Sequence, residues 1–367
     1  MIFVIKKKKL FIIIITIILI LLGVILFSYF PLVSTIFVNE ELSLVVEESF
    51  AKRNKAILNQ DNKSLSSLYN KRAKYGLWAY EHEIKKMKYL HMWSQKQGIK
   101  FIDIKSTPVI RWVKDRNKSF TINLIASTEY RYIYLDDPDK INLFRIGTYH
   151  SLDMEEINEN WVITREWYTD PFADSLNLNN IKSESIKKYI TNQEKRDFQT
   201  LSKRRKKALE YADKYVGAAD NGENDYKYNK KYRDYNALGG DCANFASQIL
   251  FEGGNFRKNG TWNYKKSGSR AWVNAQGFKS YMIYSGRASV IAYGDYEKVF
   301  KHSYKLLPGD FIAYEKKGKV KHISTVTGAD SKGYALVNCH NTDRYRVPWD
   351  LGWSNKNIKF WLVRVHY

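Results

Sequence analysis

The run Leu10 to Phe30 holds no charged residue. At about 1.5 Å per residue, a helix of that length crosses roughly 30 Å, the thickness of the hydrocarbon core of a bilayer. A core helix in water does not need to be apolar on every side over such a length, so the run constrains the chain to begin as a membrane anchor. Lys6 to Lys9 stand just before it. The positive-inside tendency then makes residues 1–9 a cytoplasmic basic tail and places everything after about residue 35 outside the cell membrane, with the lipid bilayer as the partner of residues 10–30. A cleaved signal peptide is the rival reading, but its apolar core is shorter and ends in a small-x-small site, which Ser28-Tyr29-Phe30-Pro31 does not supply.

The chain's 367 residues exceed what one hydrophobic core usually serves, so two folded units are expected beyond the anchor. Over residues 40–170 the pattern begins as helix, from Glu40 to about Gln60 and from Leu65 to Gln97, with Leu65, Leu68, Leu77, Ile84, Met87 and Leu90 near helical spacing. From Ile99 the period becomes two, and strands are expected at 99–104, 108–113, 120–134, 141–153 and 161–168. Helices followed by a meander make an α+β unit, closest to a cystatin-like or NTF2-like cone. It shows no catalytic constellation in sequence and is read as a spacer or binding domain. Residues 171–200, rich in Asn, Ser and charge, read as a linker. The second unit spans 201–367, with Ser202 capping a helix to Val216 whose Lys203 to Lys207 face water.

The formal charge is +22, or about +18 once the four lysines of the tail are set aside. No alternation of basic and aromatic residues of an RNA-binding kind is present, so nucleic acid is not the expected partner. Outside a membrane the polyanions within reach are phosphate-bearing wall polymers, anionic headgroups and acidic glycans. The two cysteines, Cys242 and Cys339, would ordinarily suggest a disulfide in an exported chain. Their contexts differ too much for that. Cys339 ends an apolar strand and reads as a small buried residue, whereas Cys242 lies in Gly239-Gly240-Asp241-Cys242-Ala243-Asn244 at the entrance to a helix.

That position carries the chemistry. The glycines allow a tight turn, Asp241 can cap, and Ala243 to Phe251 has helical apolar spacing closed by Gly253-Gly254. A thiol at a helix start is lowered in pKa by unpaired N–H groups, and the Cys242 amide can face a developing oxyanion beside the positioning residue Asp241. Of the seven histidines, His322 is the candidate base, because it opens a strand after Leu307-Pro308-Gly309-Asp310 and a Lys316 to Lys319 hairpin turn. His82, His91 and His150 fall in the other unit. The following strand, Tyr334 to His340, offers His340 as the residue that orients the imidazole, with Asn341 and Asp343 as alternatives. Trp262 and Trp272, with Asn244, are candidate substrate-binding residues, and Tyr264, Trp349 and Trp353 are further groove-lining candidates. No spacing fits a metal site, and no cofactor is implied.

The block Gly240-Asp241-Cys242-Ala243-Asn244-Phe245-Ala246-Ser247-Gln248, together with Tyr211 to Tyr215, Ala271-Trp272-Val273-Asn274, Leu307 to Asp310, His322 and Cys339 to Arg344, resembles the putative amidase domain called amidase 6. That family is related in turn to NlpC-type and CHAP papain-like wall hydrolases. The resemblance covers about residues 201–367. It implies a catalytic helix packed on an antiparallel sheet, a Cys–His–polar triad, and hydrolysis of an amide bond, with peptidoglycan as the polymer within reach. Family members commonly read His-Thr-x-Asp-Arg at the third position, whereas here Asn341 intervenes between His340 and Thr342.

Overall fold

Alternating burial along Ile99–Asp115 and its neighbours builds the largest element of the molecule, a ten-stranded sheet that runs through both halves of the chain. The computed structural model describes residue 16 and residues 40–116, 118–172, 183–353 and 357–367. The anchor expected at 10–30 and the tail at 1–9 therefore lie outside the described residues, apart from Thr16. No helix among the described residues is long and apolar enough to cross a membrane.

The first half contains helices α1 (Glu40–Asn59), α2 (Asn62–Ser67) and α3 (Lys74–Gln97), then strands β1 (Ile99–Asp115), β2 (Ser119–Tyr134), β3 (Asp137–Ile157) and β4 (Asn160–Trp167). The fold is thus mixed helix and sheet, with helices preceding a meander. The single helix expected from Leu65 to Gln97 is interrupted, because Leu68 to Asn70 pair with β4 instead. Asn70 N–H donates to Ile163 O at 2.9 Å, and Ile163 N–H donates to Leu68 O at 2.8 Å. The two short strands expected at 99–104 and 108–113 are one strand, irregular between Phe101 and Asp103 and between Ile110 and Trp112. Pro108 fits inside it because β1 is an edge strand, where a missing N–H leaves no neighbour unpaired.

The second half contains α4 (Glu184–Thr191), α5 (Lys203–Lys214), α6 (Cys242–Gln248) continued by a π-helical turn (Ile249–Gly253), α7 (Arg270–Val273), α8 (Ala275–Tyr284), β5 (Ala288–Gly294), α9 (Tyr296–Ser303), and strands β6 (Phe311–Lys316), β7 (Lys319–Ala329), β8 (Ala335–Cys339), β9 (Asp343–Pro348) and β10 (Ile358–Val365). The order across the sheet is β1-β2-β3-β9-β8-β7-β6-β10-β5, with β4 on β3. β3 and β9 pair through Arg145–Tyr345, Ile146–Arg344 and Gly147–Asp343. Gly147 is required there, since a Cβ would come within 2.1 Å of the Ala218 carbonyl carbon.

Sequence reading set two units apart by a linker. In the structure one buried cluster includes Leu90, Trp93 and Tyr132 from the first half with Phe300, Tyr314 and Trp349 from the second. Polar contacts cross the same boundary: Tyr132 and Tyr134 hydroxyls donate to Asp330 Oδ2 at 3.0 and 2.8 Å, and Gly352 N–H donates to Tyr89 Oη at 2.9 Å. Within the stretch read as linker, α4 buries Ile186 and Ile190 in that cluster.

Candidate active site

The sequence Gly239-Gly240-Asp241-Cys242 makes a left-handed turn into α6. Gly239 and Gly240 have φ of 103° and 123°, a region that costs a side chain roughly 1–2 kcal/mol. A Cβ on Gly240 would also lie 2.0 Å from Asn341 Nδ2, so any larger residue there would displace the Asn341 side chain. Cys242 then begins the helix, as expected, and both cysteines are free thiols.

The polar residues of the block hold α6 in place. Asp241 occupies the N-cap position of the helix, but its side chain makes no capping hydrogen bond. Its Oδ1 accepts from Tyr235 N–H at 3.0 Å and from Asn244 Nδ2 at 2.8 Å, and its Oδ2 lies 2.6 Å from His340 Nδ1. Asn244 Oδ1 accepts from Trp272 Nε1 at 2.9 Å. Ser247 Oγ donates to Trp272 O and accepts from Trp262 Nε1, and Gln248 Oε1 accepts from the Tyr211 hydroxyl. Asn244, Trp262 and Trp272 are fully buried. They were expected to touch substrate, but their polar atoms are satisfied inside the protein, and the indoles pack against each other, tilted, with centroids 4.6 Å apart.

The thiol sits where α6 meets β7. The backbone N–H groups of Ile323 and Ala243 donate toward Cys242 Sγ. Ile323 directly follows His322, which pairs with Tyr314 across β6 and β7. His322 lies three residues inside its strand rather than at its opening. Its ring stacks on Trp353 at 5.2 Å and meets Tyr314 at 5.5 Å, and its Nε2 is buried without a hydrogen-bond partner among the described residues. Both groups are governed by burial. It pushes the Cys242 thiol up to about 12, outweighing the two amides that draw it down, where the helix start alone was expected to lower it. It also pulls His322 well below the usual imidazole value, aided by the positive charge of Arg344. At neutral pH both groups are therefore uncharged.

None of the three residues considered for orienting His322 is bonded to it. His340 has both ring nitrogens committed, Nδ1 to Asp241 and Nε2 to Tyr215 O at 2.7 Å, and it is clamped between Tyr228 at 3.8 Å and Phe245 at 3.7 Å. Burial alone would draw it down, yet the hydrogen bond and charge of Asp241 raise it. Asn341 Oδ1 accepts from the Asp241 N–H. Asp343 accepts from Ala218 N–H at 2.7 Å and from the Tyr228 hydroxyl at 2.6 Å. His340 and Asn341 therefore buttress the Cys242 turn directly through Asp241, while Asp343 holds Tyr228, the ring stacked on His340. The neighbours that sequence reasoning did not assign to His322 are Tyr314, Trp353 and Arg344. Only Tyr314 carried a signal, as its cross-strand partner in a hairpin.

The Pro-Gly-Asp turn also proves structural. Asp310 receives Arg205 Nη1 at 2.9 Å, Arg364 Nε at 2.7 Å and the N–H of Val365 at 3.0 Å. Arg205 was expected to face water with its neighbours on α5. Its guanidinium is instead buried, also donating to Pro308 O and Val365 O.

Burial raises the Asp343 carboxyl to about 6. An acid raised on folding stabilises the native state below its ordinary value and loses that contribution as pH rises through the folded value. Stability should therefore fall by roughly 2–3 kcal/mol from this group between about pH 4 and pH 6. In Asp343→Asn, thermal melts across that window are expected to lose this slope; a slope equal to that of the parent would contradict the assignment.

Two of the solved structures similar to this chain are a calmodulin-dependent kinase II association-like domain from Exiguobacterium sibiricum (11% identity, TM-score 0.22, 34% of this chain and 90% of that one) and an NTF-2 like protein of unknown function from Shewanella oneidensis (13%, 0.21, 34% and 97%). Among curated proteins, the uncharacterized protein YjcM of Bacillus subtilis is 33% identical over 152 residues, 38% of this chain. The match spans 31% of YjcM, less than a third of its length. Residues 202–363, which hold Cys242, His322 and the buttress beneath them, match the family model described as "Putative amidase domain".

Proposed function

We propose that the second half of the chain is a cysteine-dependent amide hydrolase acting outside the cell on a wall polymer, with peptidoglycan as the substrate class, and that residues 10–30 tether it to the membrane. The observation that carries the reading is the Cys242 thiol: the polar side chains around it in its block are bonded into the fold, while its sulfur stands beside the strand carrying His322, whose Nε2 has no partner among the described residues. The family match at residues 202–363 supports the hydrolase class. The papain-like architecture, its relation to NlpC-type enzymes and the location rest on the sequence resemblance and on the apolar N-terminal run.

In this reading His322 takes the Sγ proton as sulfur attacks the amide carbonyl. The Cys242 amide faces the oxyanion, and the imidazolium returns the proton to the departing amine, leaving a thioester. Water, deprotonated by His322, then releases a carboxylic acid and restores the thiol. Digestion of purified muropeptides by the full chain, read by mass spectrometry, tests it. Hydrolysis gives a new amine and a new carboxylate. Cross-linked products instead would mean that an amine resolves the thioester and that the protein is an acyltransferase. Absence of any product, with retained binding to isolated wall, would make it a wall-binding protein.

A further inference from the structure

In the first half, away from Cys242, a depression of ≈ 730 Å³ opens between the first turns of α3 and the end of β4. Its walls include Tyr75, Trp78 and Trp167, which are 54%, 53% and 64% exposed. One such residue on a surface is ordinary, but three around one depression keep apolar area in water at a cost of about 25 cal/mol per Å², which marks a binding face. Tyr75 and Trp78 meet edge to face at 5.6 Å. The Lys74 ammonium lies 4.7 Å over the Trp78 ring, and no carboxylate pairs with it among the described residues.

The inner side is polar. His82 Nε2 lies 3.0 Å from the buried Asp170 Oδ2, and Arg165, which also lines the depression, is held by Asp153 at 2.6 and 3.1 Å. Burial draws His82 down, but the hydrogen bond and charge of Asp170 raise it on balance. An acyl chain placed there would strip water from His82 and Arg165 without replacing it. Flat indole walls suit the C–H face of a sugar ring, the polar His82 and Arg165 suit its hydroxyl edge, and the Lys74 ammonium over the Trp78 ring suits an acid group.

We propose that this depression binds an acidic saccharide, with a pyranose ring stacked on Trp78 or Trp167, hydroxyls toward His82 and a carboxylate toward Lys74. The site uses nothing from the Cys242 region, so it stands or falls independently of the hydrolase reading. Calorimetric titration of the full chain in lipid nanodiscs with trigalacturonate tests it. Saturable binding is expected, at least tenfold weaker in Trp78→Ala and in Trp167→Ala, weaker in Lys74→Gln and at higher salt, and unchanged in Tyr284→Ala, an exposed aromatic elsewhere. Neutral maltotriose is expected to bind at least tenfold less tightly. Both indoles are exposed, so their removal leaves the core intact, and circular dichroism would verify this. Absence of saturable binding, equal affinity for maltotriose, or an affinity unaltered by Trp78→Ala and Trp167→Ala would each overturn the proposal. So would a failure to bind sugar combined with quenching of the Trp78 and Trp167 emission by brominated lipid, which would make the face a membrane contact.

Discussion

Cys242→Ala is expected to lower amide hydrolysis by about 10⁴-fold or more, the scale seen when the nucleophile of a catalytic set is removed. Its folding is expected to change by only about 1 kcal/mol, since the helix is held by Asp241, Asn244, Ser247 and Gln248 rather than by the sulfur. Thiol labelling separates the chemistry from the scaffold. With the thiol raised to about 12, alkylation of Cys242 should be slow at neutral pH and accelerate as pH rises toward that value. Cys339 is buried beside it and raised to about 11, so peptide mapping of the label is needed to tell the two apart. Full hydrolytic activity in Cys242→Ala would remove the cysteine mechanism altogether.

The largest expected effect on stability lies in the first half. Glu166 accepts from Arg53 Nη1 at 2.8 and 2.9 Å, and its Oε1 lies 2.7 Å from His150 Nδ1; Glu83 and Lys86 stand 3.3 Å apart next to them. Burial would raise the Glu166 carboxyl, but Arg53 and His150 hold it well below the usual carboxylate range. Glu166→Gln leaves the Arg53 guanidinium buried with only the more distant Glu83, 3.9 Å away and shared with Lys86, and a loss of about 3–5 kcal/mol is expected. Denaturant unfolding would measure it. Arg53→Met combined with Glu166→Gln should recover part of that loss, because the double change removes both charges from the interior. A double variant as unstable as the sum of the single ones would show that the two side chains are not coupled.

This network was absent from the sequence reading, although part of it was visible. Glu83 and Lys86 fall on the same helical stripe as Ala79, Met87 and Leu90, and charge on an apolar face demands a partner. What periodicity could not supply was the partner, since Arg53 and Glu166 are separated by 113 positions. The histidines show the same limit. His150 and His82 were passed over as lying in the wrong unit, yet each is bonded to a buried carboxylate.

Local chemistry alone determined the turn and helix start at Cys242, the Ser202 cap on α5, whose Oγ accepts from Arg205 N–H at 3.3 Å, and the order of helices before strands in the first half, because backbone φ, capping and burial period act within a few residues. The tertiary structure decided the rest. It turned Trp262, Trp272 and Asn244 from groove candidates into core, gave His340 and Asn341 to the turn at Cys242 and Asp343 to Ala218 and Tyr228 instead of to His322, and joined both halves through β3 and β9 into one sheet. Those outcomes depend on which distant polar atoms meet once water is excluded, and on burial outweighing the helix start at the Cys242 thiol, neither of which is encoded in any short stretch of chain.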